Sequence, residues 1–104
     1  MPSTFKIRSV TGVEFTALLI RVGGRYGRND CFVNDKVPLV EFYWPPESGT
    51  GLGNPVFGQC RASDFLGVQT RPFKMYGDEA DTVIGVEELM QLAEWLKGEL
   101  GAND

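Results

Sequence analysis

Cys31 offers a thiol that could act as a nucleophile, with Arg28 or Lys36 lowering its pKa. A lone cysteine in a strand is more often a small buried hydrophobe. Glu14, Glu41 and Asp64 could supply a carboxylate pair for acid–base work, although nothing in their spacing selects that role. What such chemistry lacks is a base: none of the 104 residues is histidine. That loss removes serine–histidine and cysteine–histidine pairs, most zinc sites and the HExxH class together. With two cysteines and no histidine, no metal site and no cofactor are expected, and no residue is assigned a catalytic role.

Three further constellations yield to plainer readings. Arg21, Arg25 and Arg28 surround Tyr26, a mixture that suits single-stranded nucleic acid. The double glycine Gly23-Gly24 favours a hairpin turn with solvated arginines, which Asp30 and Asp35 could neutralise. A net charge of −4 also argues against nucleic acid and anionic membranes as partners. Gly49-Thr50-Gly51-Leu52-Gly53 lacks the Lys-Ser/Thr of a P-loop and runs into Asn54-Pro55 rather than a helix, so it reads as a loop. Asp78, Glu79 and Asp81 could hold calcium weakly, but the EF-hand spacing is missing.

The elements that would position these groups follow from periodicity. Phe5, Ile7 and Ser9 alternate with Lys6 and Arg8, and Val13, Phe15, Ala17 and Leu19 alternate with Glu14 and Thr16. With Thr11-Gly12 between them they predict a hairpin. A strand near residues 25–33, interrupted by Gly27, and a strong strand over Leu39–Trp44 come next. Residues 45–55 are rich in proline and glycine and predict an exposed, mobile loop. Val56–Arg61 reads as a strand, Ser63–Gly67 as one helical turn with Ser63 as N-cap, and Arg71–Tyr76 as a return to alternation before an acidic loop at 77–82. Val86, Leu89, Leu92, Ala93, Leu96 and Leu100 recur at helical spacing, which places a helix at 86–100 after Gly85 and stopped by Gly101.

The expected fold is therefore α+β: one domain, residues 1–104, with a twisted, mainly antiparallel sheet of four to six strands and the C-terminal helix on one face. A folded chain of 11.5 kDa buries about two thirds of its unfolded surface, enough for a core without staples. No apolar run reaches the roughly 18 residues of a membrane span, and residues 1–6 carry no hydrophobic signal region, so a cytoplasmic protein with no membrane partner is expected.

Apolar bulk on both strand faces points to a binding surface. Leu18-Leu19-Ile20 and Phe42-Tyr43-Trp44 break simple alternation, and one helix covers only one face of a small sheet. Leu18, Ile20, Phe42, Tyr43, Trp44 and Phe57 are thus the candidates for an interface or ligand surface. The reading that results is a non-catalytic interaction module acting as a homo-oligomer, a dimer first. The alternatives are a small-molecule binder with a pocket of Trp44, Tyr43 and Phe57, and a small enzyme using carboxylates or Cys31.

Gly27-Arg28-Asn29-Asp30-Cys31, Asn34-Asp35-Lys36 and Pro38–Tyr43, with Phe57-Gly58-Gln59 and Glu94-Trp95-Leu96, resemble a family of small bacterial proteins carried on plasmids and integron gene cassettes. The similarity covers about half the chain, and loop 44–55 departs from the pattern. It contains no catalytic motif. The resemblance implies an accessory bacterial protein and transfers no site residues.

Overall fold

A computed structural model describes residues 3–20, 38–47, 51–75 and 80–101, with backbone alone at 57–59. Four strands form one antiparallel sheet in chain order: β1 (Ser3–Arg8), β2 (Glu14–Ile20), β3 (Leu39–Tyr43) and β4 (Pro55–Arg61). A 3-10 turn at Ala62–Phe65 leads to a separate antiparallel ribbon of β5 (Phe73–Lys74) and β6 (Val83–Ile84). Helix α1 (Val86–Gly101) follows. The fold is α+β, with four strands in the main sheet and two in their own ribbon among the described residues.

The β1–β2 hairpin closes where the sequence turns polar. Ser9 N–H donates to Val13 O at 2.8 Å and Gly12 N–H donates to Ser9 O at 2.9 Å. Gly12 then adopts φ +97°, which a side chain would resist. A relay of hydroxyls ties this hairpin to the ribbon. Val13 N–H donates to Ser9 Oγ at 3.1 Å, Ser9 lies 3.0 Å from Thr11 Oγ1, and Thr11 donates to Asp81 Oδ1 at 2.6 Å. Thr11 has one proton and commits it to Asp81, so Ser9 is the donor to Thr11. Val10 N–H also donates to Val83 O at 2.8 Å, extending the pairing of β6 towards the hairpin.

Register sorts the sheet into two faces. Ile7 stands opposite Phe15, Phe5 opposite Ala17, Ala17 opposite Phe42 and Leu19 opposite Val40, and this face is the core. Lys6 stands opposite Thr16, Leu18 opposite Glu41 and Ile20 opposite Leu39 on the other face.

Helix α1 lies on the core face with Leu89, Leu92, Ala93 and Leu96 buried. Trp95 stacks on Phe5 with ring centroids 5.3 Å apart. Two glutamates fix its direction: Ser3 Oγ donates to Glu99 at 2.8 Å and Arg8 N–H to Glu88 at 3.0 Å. Eleven residues of helix and five of strand both span about 16 Å, so the helix runs antiparallel to β1 and is held at each end.

Several expectations are corrected. The 3-10 turn begins two residues early: Arg61 is its N-cap and no side chain caps it, so Ser63 is not the cap. Helix α1 includes Gly101 rather than stopping before it. Of the alternation over Arg71–Tyr76, Phe73–Lys74 form a strand and Met75 N–H donates to Thr82 O at 2.9 Å beyond it, while Tyr76 lies outside the described residues. The Gly23-Gly24 turn, the strand at 25–33, the arginine cluster and Cys31 lie outside the described residues.

Candidate functional site

The six candidate surface residues do not share one surface. Phe42 is 3% exposed and sits in the core, where it meets Phe65 at 6.0 Å edge-on and Phe73 at 6.1 Å. Phe65 and Phe73 complete the trio at 5.2 Å. Trp44 packs on Phe15, with centroids 4.8 Å apart, and is also part of the core layer. The core face thus carries more aromatic bulk than α1 covers because the 3-10 turn and β5 share the covering. That is the physical reason the expected surplus does not fall on the second face.

Leu18, Ile20 and Tyr43 do lie on the second face. All three are half-buried, as is Leu39 beside Ile20. This face is also stitched by polar pairs: Tyr43 Oη donates to Glu41 at 2.6 Å, and Lys6 Nζ to Thr16 Oγ1 at 3.3 Å. Tyr43 and Trp44 therefore point to opposite sides of the sheet and do not line one pocket. The side chain of Phe57 lies outside the described residues.

The carboxylates are not paired for catalysis. Glu14 shares a face with Glu41 but stands four residues along β2 from Leu18, the partner of Glu41, which separates them by about 13 Å. Glu14 instead meets Arg8 at 3.5 Å, and Asp64 belongs to the turn after β4. Asp81 serves as the acceptor of the Thr11 hydroxyl. Cys60 faces the core opposite Val40, and burial, with the nearby Asp64 charge second, pushes its thiol up to about 11. At neutral pH it is a protonated, weakly reactive group.

One position on each outer strand is closed to strand addition. On β1, the outward N–H of Arg8 is taken by Glu88. On β4, Pro55 has no N–H to offer, and the register shifts opposite Glu41–Tyr43. Trp44 N–H donates to Asn54 O at 2.8 Å, which joins the end of β3 to the start of β4. A Cβ on Gly53 would come within 2.2 Å of the Trp44 carbonyl oxygen, so only glycine permits this close approach.

A concave feature built from described residues lies elsewhere. An open groove of about 290 Å³ runs between α1 and the segment after the 3-10 turn, lined by Leu66, Gly67, Val68, Met90, Ala93, Glu94 and Lys97. Val68 is 87% exposed and Met90 50%. Its rim carries one charge of each sign, with Lys97 Nζ 3.7 Å from Glu94. Sequence reasoning missed it. Val68 stands alone among polar neighbours, and the signal that could have found it is Met90, an apolar residue off the buried stripe of α1.

Among the described residues, no three His, Cys, Asp or Glu side chains gather to hold a metal ion, and no buried side-chain polar atom lacks a partner. Among them, too, no helix is long and apolar enough to cross a membrane. No protein-family model matches the chain, and neither a curated protein nor a solved structure matches it.

Proposed function

We propose that this chain is a non-catalytic interaction module that works as a homo-oligomer in the cytoplasm. The observation that carries the reading is the pair of exposed apolar side chains, Val68 and Met90, gathered at one open groove. Contiguous exposed apolar surface marks contact sites, whereas single scattered residues do not. The groove is at the small end of the range for ligand sites and is open, which suits side chains of a protein partner better than an engulfed small molecule. The protonated state of Cys60 and the separation of Glu14 from Glu41 give an enzymatic reading no support. The resemblance to proteins of plasmids and gene cassettes fits an accessory bacterial role.

Sedimentation velocity at micromolar concentration tests the reading. A species of twice the 11.5 kDa chain mass is expected. A single-chain mass throughout the range overturns it.

A further inference from the structure

We infer that the occupant of the α1 groove is a second copy of this chain, docked about a twofold axis with the two α1 helices antiparallel. The inference rests on the homo-oligomer reading and adds its surface and register. Met90, Glu94, Lys97 and Gly101 follow one another at spacings of four, three and four along α1, so they share one face of the helix. Met90, Glu94 and Gly101 are exposed on that face, and the groove opens beside it.

A twofold contact demands a patch that complements itself. This patch does so in charge. An antiparallel arrangement centred between residues 94 and 97 brings Glu94 opposite the partner's Lys97 and Lys97 opposite the partner's Glu94. The same register sets Met90, the bulkiest side chain of the row, opposite the partner's Gly101, which has no side chain. The axis turns the two grooves towards each other, so each Val68 leaves water against the apolar lining of the other. Among the described residues, nothing lies within 4 Å of where a Cβ on Gly101 would stand, so their packing does not use its smallness.

The test is a charge swap read by sedimentation equilibrium, with circular dichroism confirming that each variant folds. Glu94→Lys and Lys97→Glu each place like charges opposite one another twice, and each is expected to weaken the dimer about tenfold or more. The double variant Glu94→Lys/Lys97→Glu restores both pairs and is expected to recover wild-type association. Val68→Glu, at an exposed position that folding does not need, is expected to give monomer. A wild-type monomer overturns the homo-oligomer reading itself. A wild-type dimer that Val68→Glu and both single reversals leave intact overturns this surface and leaves the reading standing. Single reversals that weaken the dimer without rescue by the double variant overturn the register.

Discussion

Helix α1 has two apolar sides, and they answer to different demands. Its inner side places Leu89, Leu92, Ala93 and Leu96 against the sheet, where each is almost wholly removed from water. Its outer flank places Met90 beside Val68 at an open groove between charges of opposite sign. The inner side is required for the domain to exist, since a helix of this length is marginal alone. The outer flank contributes little to the fold and leaves apolar area in water, a cost that a partner surface would relieve. Similar side chains on one helix thus separate into folding residues and contact residues by what lies opposite them.

The sharpest contrast is expected at Leu96. Leu96→Ala leaves a cavity under the middle of the helix and should cost roughly 2–5 kcal/mol, a large share of a typical domain's stability. Chemical denaturation measures it, and a midpoint that barely moves would show that the inner side is not the core. Glu88→Ala should come next, at about 1 kcal/mol, because it removes the charged acceptor of the outward Arg8 N–H at the rim of the sheet. The same variant reopens part of the β1 edge, so a rise in aggregation on storage is a second expected result.

Cys60 sharpens the inner side by pH. Its folded pKa is raised from 9.0 to about 11, so folding favours the protonated thiol. That contribution is fully present below pH 9 and is lost as pH rises towards 11, since the unfolded chain sheds the proton first. The difference in stability between wild type and Cys60→Ala should therefore shrink across this window, and a difference independent of pH would show the thiol to be solvated. The smallest expected effect lies on the outer flank: Met90→Lys should change protomer stability by no more than about 0.5 kcal/mol while weakening association. A loss as large as that of Leu96→Ala would erase the distinction between the two sides.

Legibility in the sequence follows the same division. Alternation found β1 and β2, the runs that follow Pro38 and Pro55 suggested β3 and β4, all to within two residues at each end, and helical spacing found α1. β6 escaped notice because Val83-Ile84 is too short to show a period, and its partners, Phe73-Lys74 and Val10, are distant in the chain. The two-residue period of a strand is enough to set Phe42 and Tyr43 on opposite faces, as the register does. What the sequence hid was that the 3-10 turn and β5 would close over Phe42, since Phe65 and Phe73 meet it only in three dimensions. The groove was illegible for the same reason: Val68 and Met90 belong to elements with no shared pattern, and only the packing of α1 beside Leu66 brings them together.

The central claim, that a second copy occupies the α1 groove, is tested most directly by zero-length carbodiimide cross-linking of an equimolar mixture of unlabelled and nitrogen-15-labelled chains. Glu94 and Lys97 are close enough to couple within one chain, so the isotopes are what separate the cases. The account predicts Glu94–Lys97 cross-linked peptides that pair one light with one heavy partner. Cross-links found only between peptides of the same isotope, from a sample whose mass is that of a dimer, would contradict it.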